Sequence, residues 1–163
     1  MSLSPLLSAP PAIQIHAFAA MAAFLIGAFV LWRRKGTALH RALGRIWVGL
    51  MLVVATSALF INEIRLIGPF SPIHIFVVVT YLGLAGGLWA ILIAHNIALH
   101  RAAMQSTYLG ALLLAGAFTF LPGRRMHDVL FGTQAGWLPS LLLIGTVLLT
   151  TGWLWRRLML RAA

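Results

Sequence analysis

Five long apolar stretches constrain the fold of this chain more than any other feature of its sequence. Each stretch has about 20 residues, and a helix of that length covers the ~30 Å hydrocarbon core of a bilayer. The chain is 61% hydrophobic and only 9% charged, whereas a soluble domain carries roughly 25% charged residues. The sequence therefore predicts an all-α membrane protein in which residues 1–163 form a single transmembrane domain with five spanning helices.

Capping signals predict where these helices begin and end. Proline is tolerated in the first turn of a helix, and Thr and Asn side chains cap helix starts. The predicted spans are Ala12 to Trp32 after Pro10-Pro11, Ala38 to about Asn62 after Thr37, Pro72 to about His95 after Ser71, Asn96 to Leu121 before Pro122-Gly123, and a fifth helix over about 137–157.

The basic residues predict the orientation of the chain. Twelve Lys and Arg stand against two acids, for a net charge of +10. Positive residues favour the cytoplasmic side of a membrane. With the first predicted turn inside, nine are cytoplasmic (Arg33, Arg34, Lys35, Arg41, Arg45, Arg101, Arg156, Arg157, Arg161) and three are external (Arg65, Arg124, Arg125). We therefore expect a multi-pass protein of the bacterial cytoplasmic membrane with an external N-terminus and a cytoplasmic C-terminus. The bilayer is its expected partner, and no nucleic-acid-binding face is predicted.

A duplicated motif predicts how four of the five helices are arranged. Ala38-Leu39-His40-Arg41-Ala42 recurs 60 residues later around His100, and Ile15-His16-Ala17-Phe18 recurs 58 residues later around His74. Near-constant offsets indicate a duplicated helix pair, with one repeat at about 12–62 and the other at about 71–121. Parallel repeats are related by a pseudo-two-fold axis along the membrane normal. We expect a four-helix bundle with the fifth helix at its periphery.

The same axis predicts two histidine pairs, because residues at equivalent positions of the two repeats face each other. His16 and His74 then share the outer leaflet, and His40 and His100 share the inner one. Helix dipoles keep imidazoles at helix starts neutral and able to coordinate metal. The helix faces that carry these histidines are mostly small, which leaves room for a cofactor, and Gly83 and Gly87 are predicted to form a close helix contact instead. The small faces are Ala20, Ala23 and Gly27; Gly44, Met51 and Ala58; and Thr107, Ala111 and Ala115, whereas the His74 face carries Val77, Tyr81 and Ala85 instead.

The ligand types narrow the choice of cofactor. The chain has no cysteine, which excludes thiolate sites, iron–sulfur clusters and c-type haem. Zinc needs three or four ligands around one centre, whereas haem b needs only two protein ligands. We therefore predict two haem b groups held by the four histidines. Arg41 and Arg101 could pair with haem propionates, and contact with lipid phosphates is an equally open role for them.

Two resemblances accompany this interpretation. Lys35-Gly36, His40-Arg41 and Gly44 form a KG-x-x-x-HR-x-x-G stretch that resembles an uncharacterised family of bacterial integral-membrane proteins over most of the chain. The histidine plan is similar to that of the two-haem transmembrane b-type cytochromes, including the ascorbate-reducible group. This second resemblance implies transmembrane electron transfer, with His16 and His74 on the outer haem and His40 and His100 on the inner one. The chain departs from those cytochromes in the short spacing within each repeat and in ligands close to helix ends.

Several alternatives stay open at the level of sequence. The chain could be a non-redox bundle, either a small-solute transporter or a structural subunit of a larger complex, with histidines as polar packing. His95 could replace His100 if the fourth helix starts later than predicted. His127 beside Asp128 could accept a proton from a quinol, although a solvated loop histidine is the favoured interpretation. If the chain is an enzyme, it is a membrane oxidoreductase that acts on a quinol, an ascorbate-like molecule or a metal ion. Small-molecule or protein electron donors and acceptors and a homo-oligomer are left open.

Overall fold

A computed structural model describes residues 2–61 and 72–160. The part of the chain that it describes is helical and contains no strand. Within residues 2–61 and 72–160, five helices are long and apolar enough to cross a membrane, which confirms the predicted fold class. The helices are α1 (Ser4–Leu7), α2 (Pro11–Trp32), α3 (Ala38–Ala58), α4 (Ile75–Leu92), α5 (Ile97–Phe120), α6 (Arg125–Phe131) and α7 (Trp137–Leu160).

The helix starts follow the capping signals in the sequence. The Thr37 side chain accepts a hydrogen bond from the backbone N–H of His40 at 3.1 Å, and Asn96 Oδ1 accepts one from Leu99 N–H at 2.9 Å. Each cap satisfies one of the N–H groups that a helix start leaves without a partner. The helix ends differ by a few residues, since α3 ends at Ala58 and α4 ends at Leu92. Residues 62–71 lie outside the described residues, so the predicted end at Asn62 and the loop with Glu63 and Arg65 fall there.

Helices α2 to α5 form the predicted bundle. The two helix pairs of the duplication, α2 with α3 and α4 with α5, are the most closely packed, and contacts of α3 with α4 and of α5 with α2 close the ring. Helix α7 packs mainly against α5 and therefore lies at the periphery. The bundle has two ends. The basic end carries the turns 33–37 and 93–96, and the N-terminal end carries residues 2–10 and helix α6.

The middle of the bundle is filled by aromatic and aliphatic side chains. The core consists of Ala23, Trp47, Met51, Leu84, Tyr108, Leu109 and Leu112. A Cβ on Gly27 would lie only 2.5 Å from the Tyr108 ring and 2.6 Å from Trp47 Nε1. The Tyr108 hydroxyl donates to the Phe24 carbonyl at 3.1 Å. At this depth the small face of α2 therefore receives aromatic rings and leaves no room for a cofactor, contrary to expectation.

Helix α5 departs from the continuous α-helix that the sequence predicts. Residues Thr107–Leu114 form a π-helix, in which a turn holds more residues than an α-turn. The buried face consequently widens from the predicted Thr107 and Ala111 to include Tyr108, Leu109 and Leu112.

The face of α4 that follows His74 also differs in part from the predicted one. Val77 is buried, but Ala85 is exposed. The interior face of α4 instead continues through Thr80, Leu84 and Gly87. Side chains at i, i+3, i+4 and i+7 share one side of a helix. The side of α4 that carries Thr80, Leu84 and Gly87 therefore packs against the neighbouring helices, rather than the side predicted from His74.

Two short helices at the N-terminal end were not predicted. Residues 2–9, which we call the N-terminal strap, contain α1 and fold over α6. Ser2 N–H donates to the Val129 carbonyl at 3.2 Å, and Arg125 Nη1 donates to the Pro5 carbonyl at 3.3 Å. Leu6 is only 1% exposed beneath this contact. The longest predicted loop is thus partly a helix with its own small core.

Candidate functional site

His40 and His100 lie together at the basic end of the bundle. Each occupies the first turn of its helix, α3 or α5, and both helices begin at this end of the bundle. His100 Nδ1 lies 2.8 Å from the Gly87 carbonyl of α4. A carbonyl can only accept, so Nδ1 must carry the proton and donate. In the neutral ring, Nε2 is then the nitrogen that can accept a proton or coordinate metal.

A close contact between α4 and α5 makes this hydrogen bond possible. A Cβ on Gly83 would overlap with Thr107 Oγ1, and one on Gly87 would overlap with the end of Met104 and lie 3.2 Å from the Ala103 Cβ. Two glycines on α4 therefore let α5 approach until the His100 ring reaches the backbone of its neighbour. The predicted role of both glycines as a close helix contact is confirmed.

The His40 ring has an enclosed nitrogen without a polar neighbour. Its Nδ1 is buried and has no hydrogen-bond partner among the described residues. A buried polar atom left in this state costs about 1–3 kcal/mol. One turn further along α3, no described atom lies within 4 Å of the place where a Cβ on Gly44 would stand. The basic end therefore offers an imidazole nitrogen in need of a partner and a face of α3 with open space.

Positive charge surrounds this histidine pair. Arg41 Nη1 donates back to the Gly36 carbonyl at 2.8 Å, and the Lys35 ammonium donates to the Leu31 carbonyl. Burial lowers the pKa of Lys35, and the positive charge of Arg101 lowers that pKa further. The only acid in the part of the chain that the structure describes is Asp128, at the opposite end. The negative charge that balances these exposed cations therefore comes from solution ions, from lipid, from a bound group or from residues outside the described ranges.

His16 has a similar backbone contact at the N-terminal end. Its Nδ1 lies 3.0 Å from the Val54 carbonyl and 3.2 Å from Ser57 Oγ, both on α3. The carbonyl again requires that Nδ1 donates, which leaves Nε2 of the neutral ring able to bind metal. The ring is half-buried between the start of α2 and the end of α3.

His74 lies at the same end as His16. It closes the 3₁₀ turn Pro72–His74 directly before α4 and is half-buried. The Tyr81 hydroxyl forms a 2.8 Å hydrogen bond with Thr56 Oγ1, which ties the start of α4 to the end of α3, close to the residues that hold His16. His16 and His74 thus lie at the N-terminal end of the bundle, and His40 and His100 lie at the basic end.

The length of α3 separates the two ends. Val54, which holds His16, stands 14 positions after His40 on one continuous helix. At 1.5 Å per residue this places the two histidines about 21 Å apart along the bundle axis. The aromatic core around Trp47 and Tyr108 lies between them.

The remaining histidines occupy two different settings. His95 is exposed in the turn between α4 and α5, with a positive φ of 52°. Because α5 begins at Ile97 as the Asn96 cap predicts, the condition under which His95 would replace His100 is not met. His127 is only 1% exposed on α6, so the interpretation of a solvated loop histidine is wrong. The apolar positions Met126, Val129 and Leu130, spaced as on one side of a helix, were the signal that could have indicated a buried segment here.

Within residues 2–61 and 72–160, no three side chains of His, Cys, Asp or Glu come together to hold a bare metal ion. A planar macrocycle needs only two protein ligands, and the residues at the basic end fit that requirement. They supply a backbone-oriented imidazole, a second imidazole with an unpartnered nitrogen, and cations for acidic substituents.

Comparison with known proteins places the chain among membrane proteins. Residues 13–149 match the family described as Predicted membrane protein (DUF2306). The match covers the four helices of the bundle and the first half of α7. No curated protein and no solved structure matches the chain.

Proposed function

We propose that this chain, which belongs to the DUF2306 family of predicted membrane proteins, transfers electrons across the bilayer through two b-type haems. His40 and His100 are the axial ligands at the basic end, and His16 and His74 are those at the N-terminal end. The basic end faces the cytoplasm, because the turn 33–37 carries the densest positive charge of the chain.

The observation that carries the proposal is the paired backbone contact of His100 and His16. Each donates its Nδ1 proton to a carbonyl of the neighbouring helix, at 2.8 Å and 3.0 Å. Histidines that bind metal almost always donate the other ring N–H to a carbonyl, carboxylate or water, which fixes the tautomer and the ring orientation. One such contact lies at each end of the bundle, His16 in the first predicted repeat and His100 in the second. This pattern supports metal ligation at two sites.

The basic end supports the proposal most strongly. His40 and His100 occupy the first turns of their helices at the same end of the bundle. His40 Nδ1 is also buried without a hydrogen-bond partner among the described residues, and coordination to a metal would satisfy it. Arg41 and Arg101, each directly after its histidine, are placed to pair with propionates, and such charge-assisted pairs are about twice as strong as neutral hydrogen bonds. Burial lowers the pKa of Lys35, and the positive charge of Arg101 lowers that pKa further, so an anion bound here would relieve part of the repulsion between these cations.

A bound haem supplies an iron that alternates between the ferric and ferrous states and so carries one electron. The chain itself holds the two sites about 21 Å apart on α3 and keeps the space between them dry with the core around Trp47, Met51 and Tyr108. The lipid-facing exterior, which includes Trp32 at 83% exposure and Leu149 at 77%, holds the bundle across the bilayer.

The test is the absorption spectrum of the protein purified from cells with ample haem supply. We expect two haem b per chain with reducible Soret and α bands. His40→Ala and His100→Ala should each remove the same half of the spectrum, and His16→Ala and His74→Ala should each remove the other half. The haem that remains in each variant shows that the bundle has folded.

The matched control is His95→Ala, since His95 is exposed in a turn and is not one of the four proposed axial ligands. This variant should keep both haems. A colourless wild-type protein, or variants at His40 and His100 that lose different spectral components, would contradict the proposal.

A further inference from the structure

A buried histidine–aspartate pair at the N-terminal end has no role in the function proposed above. His127 Nδ1 lies 3.3 Å from Asp128 Oδ1, and the His127 side chain is 2% exposed, against 27% for Asp128. The other ring nitrogen, Nε2, is also buried and has no hydrogen-bond partner among the described residues. A buried polar atom without a partner destabilises the fold, so a ligand that hydrogen-bonds to Nε2 would remove that penalty.

The chemistry of Nε2 limits what this ligand can be. When the ring is neutral, Nδ1–H donates to the carboxylate and Nε2 can only accept, so the ligand must offer an O–H or N–H group. When the ring is protonated, Nε2–H donates and the ligand must offer an acceptor. A hydroquinone and its quinone meet both requirements, since the first presents a phenolic O–H and the second a carbonyl at the same position.

The N-terminal strap packs on the helix that carries His127. Residues 2–9 are held on α6 by the hydrogen bonds from Ser2 N–H to Val129 and from Arg125 to Pro5. Leu6 and Ala9 of the strap are 1% and 5% exposed. The strap therefore closes one side of α6, and a ligand that leaves the strap in place must approach His127 from another side.

An apolar groove offers that approach. Phe131 lies one turn after His127 on the same face of α6, and the two rings meet edge to face with centroids 5.4 Å apart. Phe131 also forms one wall of a groove of about 480 Å³, whose other walls come from α7: Pro139, Leu142, Leu143, Thr146 and Val147. Leu142 is 64% exposed, so the groove opens on the lipid-facing surface.

We infer that this site binds a lipid-soluble quinone in both redox forms, with the head group on His127 Nε2 and the apolar tail in the groove of Phe131 and α7. The inference rests on the proposed function only for the use of the ligand as an electron carrier, whereas binding itself needs no haem. It names a substrate class for the N-terminal end of the bundle, where His16 and His74 lie.

The test uses a short-chain benzoquinone that carries a photoreactive azido group, added to the full-length protein in nanodiscs. We expect cross-links to peptides from residues 125–147, and we expect unlabelled short-chain quinone to compete. His127→Phe keeps an aromatic ring but removes the nitrogen, so it should weaken binding at least about tenfold, the loss of one buried hydrogen bond. Its thermal stability should be equal to or above that of the wild type, because an unsatisfied nitrogen is removed.

The groove has a matched pair of variants on α7. Leu143→Trp should block binding because Leu143 lines the groove. Leu149→Trp should not, because Leu149 is 77% exposed to lipid and lies outside the groove. Unchanged binding in His127→Phe, cross-links away from α6 and α7, or equal competition by a diacylglycerol would overturn the inference. Haem content measured in the same samples separates the two hypotheses: quinone binding by a haem-free protein supports this site and contradicts the electron-transfer proposal, and haem without quinone binding does the reverse.

Discussion

Replacing Gly87 by alanine tests whether the close contact between α4 and α5 positions His100. The new Cβ would lie 3.2 Å from the Ala103 Cβ and would overlap with the end of Met104. Met104 is flexible and can move aside, but the Ala103 Cβ is attached directly to the backbone of α5. An ordinary carbon–carbon contact is about 3.5–4.0 Å, so the helices must separate by roughly 0.5 Å.

This shift acts directly on the candidate ligand. The hydrogen bond from His100 Nδ1 to the Gly87 carbonyl is 2.8 Å long, and the separation would lengthen it to about 3.3 Å, beyond the usual range for N–H···O bonds. Overpacking typically costs about 1–3 kcal/mol. Alanine also favours the helix over glycine by up to about 1 kcal/mol, which offsets part of this cost. A control substitution at a neighbouring glycine measures that contribution separately.

Gly86 provides that control, because it is the adjacent residue, is exposed, and has no described atom within 4 Å of the place where its Cβ would stand. Gly86→Ala should be neutral or slightly stabilising. We expect Gly87→Ala to be less stable than Gly86→Ala by about 2 kcal/mol, measured as the free energy of unfolding in mixed micelles of rising SDS content. It should also shift the spectral component assigned to His100, and Gly87→Ala with Ala103→Gly should restore that component. Equal stability and equal spectra for the two alanine variants would refute the reasoning.

Three further predictions test the core, the electrostatics and the topology. Gly27→Ala should destabilise the bundle by about 1–3 kcal/mol in the same assay, because the new methyl group would collide with two aromatic rings. Gly49→Ala should not, because the new methyl group would face open space. Equal free energies of unfolding for the two variants would contradict the packing argument. Arg101→Gln should raise the pKa of Lys35, although burial keeps that pKa below the usual value. Lys35 is the sole lysine of the chain, so NMR titration after dimethylation gives one lysine side-chain signal. An unchanged pKa would count against the electrostatic effect of Arg101 on Lys35. A reporter fused after Gly36 should report the cytoplasm, and an external signal would reverse the proposed orientation.

Much of the fold was predictable because the membrane removes most alternatives. A stretch of 20 apolar residues must satisfy its backbone internally, and a helix is the simplest way to do so. The caps at Thr37 and Asn96 act within one turn, so a local pattern was sufficient to place the starts of α3 and α5. The pairing of His40 with His100 stays a prediction from the repeated motif, since repeated sequence implies repeated position.

The interior was less predictable because helix faces were assumed to be regular. The π-helix at Thr107–Leu114 widens the buried face of α5, and the rings of Trp47 and Tyr108 occupy the space that the small face of α2 offers. Neither effect is local, since each depends on which side chain arrives from a neighbouring helix. His127 was misplaced for a similar reason: its helix packs against the strap of residues 2–9 and the end of α5, and these contacts are not visible in the local sequence.

The sequence by itself determined the class of the protein and the presence of five helices long and apolar enough to span a membrane among the described residues. These properties depend on hydrophobic length, charge and periodicity, which act along the chain. The tertiary structure decided which nitrogen of His16 and His100 is bound to backbone, which glycines bring helices together, and that His127 is buried with one unpartnered nitrogen. Those properties depend on distances of a few ångströms between segments remote in sequence, and packing alone sets such distances.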